Sequence, residues 1–315
     1  MRFPVFDLHC DTALALLGEN YDARGSLRHN NLHIDLERAS ENEGYVQCFA
    51  CFTSPAYTSK VSPQQLFERQ LLNLLEQLEM NKGRISLAYR AKDIQKNLQS
   101  KKASAILTIE GPAGFGYDIA LLEDLYKVGF RITTLGWNED NVLAGSHLTG
   151  GGLTDLGKAY VEQAQKLGMI VDVSHLSDAA FWDLMDITQR PIIATHSNSR
   201  SVCNTSRNLT DEMFLAICRT GGVAGINLYL PFLGQNATLD TVCDHILHFA
   251  ELDGSVRHIA LGGDLDGCDT LANGFAGVQD YPKLAERLLC RGFTQKNIYD
   301  IFLNNALGVM QKCCM

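Results

Sequence analysis

The sequence lacks several features that would place it in other classes of protein. No apolar run approaches the length of about 18 residues that a membrane-spanning helix needs. The first residues lack the apolar stretch of a secretory signal peptide. Basic residues are not in surplus, because 27 Lys and Arg stand against 36 Asp and Glu, a formal net charge of −9. Since phosphate binding needs clustered Lys and Arg, we do not expect a nucleic-acid partner. The lack of a long apolar run excludes a spanning helix, so we do not expect a membrane partner either.

The cysteines and the absence of linkers bear on compartment and domain count. Ten cysteines without a signal peptide indicate reduced thiols and a cytoplasmic protein. Cys48 and Cys51 have redox-like spacing, but they lie inside an apolar run, which favours buried structural thiols. No repeat, low-complexity tract or Pro/Ser-rich linker divides the 315 residues. We therefore predict a single domain over residues 1–315.

A short apolar run followed by a helix-like segment recurs along the chain. The unbroken runs are typical of strands buried on both faces: Phe3–Leu8, Tyr45–Phe52, Ala103–Ile109, Phe130–Leu135, Met169–Val173, Pro191–Thr195, Gly222–Leu228 and His258–Gly262. The helix-like segments include Pro63–Asn81, Leu121–Val128, Asp155–Leu167, Asp178–Asp186 and Asp211–Thr220. This order predicts an α/β fold, a (β/α)8 TIM-type barrel. The alternative, an open doubly wound sheet, would favour a Gly-rich phosphate loop where His9-Cys10-Asp11 stands.

Potential metal ligands follow five of the eight runs. The carboxyl ends of barrel strands meet at one mouth, so these side chains should converge there: His9, Asp11, Glu110, His175, His196 and Asp264. Taken alone, each has a structural explanation, and a single histidine at a strand end is more often hydrogen-bonded than ligating. Their joint occurrence favours a metal centre. The set exceeds the three ligands of a mononuclear catalytic zinc, which indicates two metals sharing a carboxylate.

Several motifs carry a resemblance to a known family. In chain order they are Asp7-Leu8-His9-Cys10-Asp11, Ile109-Glu110-Gly111, Asp172-Val173-Ser174-His175, Thr195-His196-Ser197-Asn198-Ser199-Arg200, Cys203-Asn204-Thr205-Ser206-Arg207-Asn208-Leu209 and Gly262-Gly263-Asp264-Leu265-Asp266-Gly267. In this order they resemble the membrane (renal) dipeptidase family, binuclear zinc enzymes among the amidohydrolase-like barrels. The resemblance implies two Zn²⁺ per chain, with His9 and Asp11 on one, His175 and His196 on the other, and Glu110 bridging.

The resemblance also implies a reaction and a substrate. It implies a dipeptidase that attacks the peptide bond with a metal-bridging hydroxide, acting on dipeptides that include those with a C-terminal D-residue. Asp264 resembles the catalytic aspartate, which shuttles a proton to the leaving amine, and Asp266, two residues on, is the competing candidate. Arg207 matches the arginine that binds the substrate carboxylate as a bidentate fork. Relatives are often dimers, so a homodimer is an expectation that comes with the resemblance.

One position departs from the family pattern. After the fourth run, where the family has a histidine that polarises the substrate carbonyl, this sequence has Trp137. An indole donates one hydrogen bond but carries no positive charge, so Asn138 or Asn141 would have to supply a further donor. We expect Trp137, Asn138 and Phe232 to bind substrate, whereas His147 has no assigned role.

Two other functions fit the same sequence. A related binuclear barrel hydrolase could act on a lactone, a cyclic amide or an ester instead of a dipeptide. A catalytically silent barrel could bind a ligand or partner, although the intact set of ligand-type residues argues against it.

Three further histidines lie away from the predicted mouth of the barrel, and we expect structural roles for them: His245, His248 and His258.

Overall fold

The fold is built around short parallel strands. The computed structural model describes residues 1–18, 22–57 and 60–314. Its strands are β1 Pro4–Asp7, β2 Gly44–Phe52, β3 Ile85–Leu87, β4 Ala103–Glu110, β5 Phe130–Thr133, β6 Ile170–Val171, β7 Ala224–Ile226 and β8 Ile259–Leu261. Seven strands follow one another along the sheet in the order β6-β5-β4-β2-β1-β8-β7, and all of their pairings are parallel. The result is a curled parallel sheet of TIM-barrel type.

Two parts of the sheet differ from the sequence prediction. The run Pro191–Thr195 does not form a strand, but it contributes isolated parallel bridges from Ile193 to Asp172 and from Ala194 to Ala224. The additional strand β3 was not predicted, and it pairs only with residues 103–105 at the start of β4. A three-residue strand is defined by its pairing partner rather than by its own pattern, so local sequence did not reveal it.

Helices surround the strands. They are α1 Thr12–Ala15, α2 Leu36–Ala39, α3 Pro63–Met80, α4 Ala91–Gln99, α5 Leu122–Val128, α6 Asp155–Leu167, α7 Asp178–Ile187, α8 Asp211–Thr220, α9 Leu230–Leu233, α10 Leu239–Asp253, α11 Tyr281–Cys290, α12 Gln295–Tyr299 and α13 Asn305–Cys313. Short 3₁₀ turns span Pro112–Phe115, Ile119–Leu121 and Val278–Asp280, and a π-helical turn, Asp300–Asn304, joins α12 to α13. The five predicted helices are confirmed to within one or two residues.

Local capping explains why the helix boundaries were predictable. Ser62 and Gln65 form a capping box at the start of α3, with Pro63 as the first helical residue. Thr154 caps α6, and Gly168 ends it with a left-handed backbone at φ 91°. Among the described residues, no helix is long and apolar enough to cross a membrane.

The strands carry the core and present their carboxyl ends to one region. β2 is buried from Tyr45 to Phe52, and β4 from Ser104 to Glu110. Both faces of these strands are covered, which accounts for their unbroken apolar sequences. Polar side chains begin where the strands end, and these strand ends hold the candidate site.

Candidate active site

The predicted ligand residues come together in the structure. Each lies at or just after a strand end or at the bridged segment 193–194, and nearly all are buried: His9, Asp11, Glu110, His175, His196 and Asp264. Their nitrogen and oxygen atoms form two overlapping groups within 4.8 Å: one of His9, Glu110 and His196, the other of His9, Asp11 and Asp264. Residues more than 250 positions apart in the chain thus share one small volume.

Glu110 lies between the two sides of this cluster. Its Oε2 is 3.3 Å from His9 Nε2, while its Oε1 is 3.0 Å from His175 Nε2 and 3.7 Å from His196 Nε2. Burial raises the pKa of Glu110 to about 7, with the neighbouring Asp11 and Asp264 charges adding to the effect of burial. A buried carboxylate that shows one oxygen to each side is suited to bridge two cations.

Hydrogen bonds fix the orientation of two of the histidines. His175 donates from Nδ1 to Asn138 Oδ1 at 2.9 Å, and His196 donates from Nδ1 to Thr195 Oγ1 at 2.6 Å. Thr195 in turn donates to the buried Asp172. Both Nε2 atoms are therefore left with lone pairs, and they face each other at 3.0 Å. Such outer hydrogen bonds are what metal-ligating histidines usually have.

The protonation of these histidines matches that arrangement. Burial lowers the pKa of His175 and His196 well below the ordinary value, with nearby positive groups adding to the effect, so both imidazoles are neutral. Burial would also lower the pKa of His9, but attraction to Glu110 and Asp11 raises it well above the ordinary value. The carboxylates around His9 thus favour a positive charge at this place.

Unpaired buried atoms give an independent test of whether a metal fits. His9 Nε2 and Asp11 Oδ1 are buried without a hydrogen-bond partner among the described residues. Leaving such atoms without a partner costs about 1–3 kcal/mol each, and more for charged groups. The nitrogen and oxygen donors around them are of the types that zinc binds. The donor set therefore fits divalent metal ions.

Two buried aspartates tie the strand ends together below the ligands. Asp7 accepts hydrogen bonds from the backbone N–H of His9 and of Gly263, each at 3.0 Å. Asp172 does the same for Ser174 and Thr195, each at 2.9 Å. The motifs contained both aspartates, but sequence reasoning gave them no role, because the backbone groups that they link are far apart in the chain.

Asp264 and Asp266, the two candidates for the catalytic aspartate, differ sharply in their surroundings. Asp264 Oδ1 lies 3.8 Å from His9 Nε2, and its Oδ2 accepts a hydrogen bond from Asn227 at 3.0 Å. Burial raises its pKa. Asp266, two residues on, would face the same way as Asp264 in an extended strand, but its carboxylate instead contacts Thr12 and the His33 backbone. Both residues have left-handed backbones, at φ 56° and 67°, so period-two alternation does not apply to them.

Asp266 is a structural link between loops. Its carboxylate accepts hydrogen bonds from Thr12 Oγ1 and from the His33 backbone N–H, both at 2.6 Å. The backbone N–H of Asp266 returns a hydrogen bond to His33 Nδ1 at 3.0 Å. These contacts connect the loops after β1 and β8, which carry Asp11 and Asp264.

We expect Asp266→Ala to lower the free energy of unfolding by about 2–4 kcal/mol, because two buried donors lose their acceptor. Alanine at φ 67° adds backbone strain, whereas Asp266→Asn tolerates this backbone and should cost less. Urea unfolding monitored by circular dichroism measures both variants. The exposed Asp186→Ala serves as the surface control. Equal stability of Asp266→Ala and wild type would contradict the structural role.

Arg207 is buried and only partly satisfied. Its Nη1 donates to Ser197 Oγ at 2.7 Å, while Nε and Nη2 have no hydrogen-bond partner among the described residues. Its Cζ lies 5.7 Å from the centre of the Phe232 ring. Nearby Arg200 differs, because both of its terminal nitrogens bind Asp178, at 2.7 and 2.8 Å. Arg207 therefore keeps two buried donors available for an anionic group.

A cavity of about 300 Å³ opens above the ligand cluster. Its lining includes seven of the residues expected from the sequence: Asp11, Glu110, Trp137, Asn138, His175, Phe232 and Asp264. The oxygen of Asn138 accepts from His175 and also from His147 Nε2, at 3.0 Å. Asn138 thus orients a ligand histidine, a role that sequence reasoning missed because its partners come from two distant loops.

Three other histidines form hydrogen bonds with groups other than the six predicted ligands. His147 accepts at Nδ1 from Ser206 Oγ at 3.0 Å, so with Asn138 it joins two loops. His245 accepts from the Ser199 backbone N–H at 3.1 Å, and His258 donates to the Gly222 carbonyl at 2.7 Å. The structural roles expected of His245 and His258 agree with these contacts.

Comparisons with known proteins agree along the whole chain. The family model of the membrane dipeptidases, peptidase family M19, matches residues 1–314. An uncharacterized dipeptidase of Schizosaccharomyces pombe is 32% identical over 330 residues, covering 98% of this chain and 80% of the relative. The solved structure of the dipeptidase AC, a metallo peptidase, is 25% identical with a TM-score of 0.90, covering 100% of this chain and 99% of that one. A metallo peptidase of Rhodobacter sphaeroides, solved with a phosphinate mimic of the dipeptide L-Ala-D-Ala, is 24% identical with a TM-score of 0.89, covering 99% and 100%.

Proposed function

The chain belongs to the membrane dipeptidase family, peptidase family M19, and is thus a metallo-dipeptidase, and we propose that it cleaves dipeptides at a centre of two zinc ions. The position of Glu110, with one carboxylate oxygen toward His9 and the other toward His175 and His196, is the observation that carries this proposal. His9 and Asp11 would hold one ion, His175 and His196 the other, and Glu110 both.

Two zinc ions held by these residues would supply Lewis-acid chemistry, polarising a carbonyl and lowering the pKa of a nearby water molecule. The chain contributes neutral imidazoles at His175 and His196, each oriented by a hydrogen bond at Nδ1. Because these contacts exist before substrate binds, the ligands need little rearrangement.

Asp264 moves the proton in this proposal. Its Oδ2 is held by Asn227, whereas its Oδ1 points toward the ligand cluster. The raised pKa favours uptake of a proton at this carboxylate. We assign Oδ1 as the atom that takes a proton from the attacking water and passes it to the departing amine.

Arg207 selects a substrate with a free carboxylate. The donors at Nε and Nη2 can pair with both oxygens of a C-terminal carboxylate, with Phe232 beside them. Besides burial, the charge of Arg207 also contributes to the lowered pKa of His175 and of His196, so a carboxylate bound by Arg207 would lie near the predicted ligands and the scissile bond. This proximity favours dipeptides over longer peptides.

We expect Arg207→Ala to raise KM for free dipeptides by about a hundredfold, the equivalent of nearly 3 kcal/mol for a buried charge pair. For substrates with an amidated C-terminus KM should change little, because they have no carboxylate to pair with the guanidinium of Arg207. Initial-rate kinetics on matched free and amidated dipeptides check this. Arg207→Lys keeps the charge without the planar fork and should recover only part of the loss. Equal losses on both substrate types would contradict the carboxylate role.

A dipeptide panel with metal analysis tests the proposal as a whole. The panel covers L–L, L–D and D–D pairs beside lactones, cyclic amides and esters, and zinc per chain is measured on the same sample. We expect cleavage of dipeptides and about two zinc ions per chain. Activity confined to the lactones, cyclic amides or esters would refute the binding of a substrate carboxylate by Arg207. Less than about 0.2 zinc per chain after zinc-replete purification would refute the metal centre.

The remaining features of the proposal concern architecture and setting. We propose that the bridged segment at Ile193 and Ala194 joins the two ends of the sheet, next to β6 and β7, and so closes it into a barrel. This barrel forms a single domain of residues 1–315. Contact between Phe3 and Phe302, with ring centres 6.2 Å apart, supports one domain. All ten cysteines are free thiols, which supports a reducing cytoplasmic setting. A homodimer stays a prediction that light scattering would test.

A further inference from the structure

One side of the active-site cavity is apolar. Leu14, Phe52, Tyr57 and Trp137 line it, and we refer to these four residues as the aromatic wall. Leu14 and Phe52 are 2% and 4% exposed, and Leu66 packs with them from below. The wall therefore rests on a buried cluster rather than on a surface loop alone.

Edge-to-face contacts give the wall a defined shape. The ring of Phe52 lies 5.1 Å from Trp137 at 70° and 5.3 Å from Tyr57 at 89°. Such pairs stabilise aromatic groups beyond the area that they bury. Trp137 also reaches the metal-ligand cluster, because its ring centre is 6.3 Å from that of His175. The wall is thus held in place next to the predicted ligand His175.

The aromatic wall and Arg207 lie near the ends of different strands of the sheet. Phe52 ends β2, which is three strands from β7 along the sheet, and Phe232 follows β7. Arg207 lies beside Phe232. If Arg207 holds the C-terminal carboxylate and the ligand cluster holds the scissile bond, the N-terminal residue of the substrate is the part left to meet the wall.

We propose that the aromatic wall is the subsite for the side chain of the N-terminal residue and that it selects large apolar side chains. This inference rests on the proposed dipeptidase function, in particular on the role of Arg207. The wall has no charged side chain, and the carboxylates that line the cavity belong to the ligand cluster or, for Asp269, to the loop after β8. A charged side chain placed against the wall would lose water without gaining a partner.

The substitution of tryptophan for the family's histidine fits this inference. Trp137 contributes a broad apolar face and one N–H donor, in place of a group that could carry charge. An apolar side chain buried on such a face gains contact area, and pocket contacts of this kind change kcat/KM by about 10–200-fold per methylene-sized group. Substrate selection by side-chain size is the expected consequence.

The first test uses the wild-type zinc-loaded enzyme. Its substrates share a C-terminal alanine and begin with Gly, Ala, Leu, Phe, Asp or Lys. We expect kcat/KM for Phe-Ala and Leu-Ala to exceed that for Gly-Ala by at least about tenfold, with Asp-Ala and Lys-Ala below Gly-Ala. Similar values for all six would overturn the subsite while leaving the dipeptidase function intact. Cleavage of none of them would overturn the dipeptidase function and the subsite with it.

Variants of the two tryptophans sharpen the test. Trp137→Ala should reduce the Phe-Ala to Gly-Ala preference by about tenfold, and Trp137→Phe should retain most of it. Trp182, the other tryptophan, is 40% exposed on α7, so Trp182→Ala is a matched control that should keep the wild-type preference. An unchanged preference in folded Trp137→Ala would overturn the proposal.

Fluorescence gives a binding readout that does not depend on turnover. In the Trp182→Phe background, Trp137 is the only tryptophan, so its emission reports on the subsite. Phosphinate mimics of Phe-Ala and Gly-Ala are titrated into the zinc-loaded protein. We expect the Phe-Ala mimic to shift the emission and to bind at least about tenfold more tightly. Equal Kd values, or no emission change on binding of the Phe-Ala mimic, would contradict contact with the wall.

Discussion

Replacing Glu110 by alanine is expected to remove both metal ions and to lower kcat/KM by at least about 10³-fold. Glu110 Oε1 lies 3.0 Å from His175 Nε2, and Glu110 Oε2 lies 3.3 Å from His9 Nε2, so this one carboxylate faces the proposed ligands of both ions. Loss of a bound metal removes several kcal/mol of transition-state stabilisation, and each 1.36 kcal/mol is a factor of ten. Zinc per chain, measured by mass spectrometry, and dipeptide kinetics give the two readouts.

Two further variants make the Glu110 result specific. Glu43 directly precedes β2, at the end of the strand away from the candidate site, and accepts a hydrogen bond from Tyr299 at 2.8 Å, so Glu43→Ala controls for removing a glutamate next to the sheet. It should keep both metals and full activity. Glu110→Asp keeps the charge but shortens the side chain by one methylene, so we expect it to hold less zinc than wild type. Two zinc ions per chain in Glu110→Ala would refute the bridging role.

Replacing Asp264 by asparagine should separate metal binding from proton transfer. We expect the variant to keep its zinc and to lose about 10²–10⁴-fold in kcat, the usual range for removing a general acid–base group. Asparagine is the suitable replacement, because it is isosteric and tolerates the left-handed backbone at φ 56°. Its amide cannot accept and return the proton, although the amide oxygen can still accept the hydrogen bond from Asn227.

Asp266→Asn is the matched comparison for Asp264→Asn. It makes the same chemical change two residues away, also at a left-handed backbone position, but on a carboxylate bound to Thr12 and His33. We expect its kcat to stay within about tenfold of wild type, since it does not contact the reacting atoms. Near-normal turnover in Asp264→Asn with zinc retained would refute the proton-transfer role.

Helix ends and most strands were predictable because their signals are local. The segments Asp155–Leu167 and Asp211–Thr220 were predicted to the residue, since Thr154 and Thr210 cap their starts and a left-handed glycine follows each. The strand β3 was not predicted, and the segment 191–195 was predicted as a strand but forms only isolated bridges. Their conformation depends on neighbours that are distant in the chain, so no local pattern distinguishes them.

The ligand set was predictable for a different reason. A parallel strand buried on both faces reads as an apolar run, and the first polar residue after it marks the carboxyl end. Glu110 ends β4, His9 comes two residues after β1, and His196 follows the bridged segment 193–194. The motifs around these residues identify the family without coordinates. The order of apolar and polar residues therefore predicted by itself a metal-type cluster, and the structure brings the predicted residues together.

Only the tertiary structure decided how the second layer works. The sequence favoured Asp264 over Asp266, and the structure separates them, because left-handed backbones turn one toward the predicted ligands and the other toward Thr12. Asn138, predicted to bind substrate, lines the cavity and also orients His175, which is 37 residues away, through its oxygen. Strand alternation and capping act over a few residues, whereas these roles depend on contacts between distant loops. The sequence by itself determined the family and predicted the metal-ligand residues, and the packing of those loops decided which neighbouring groups lie against them.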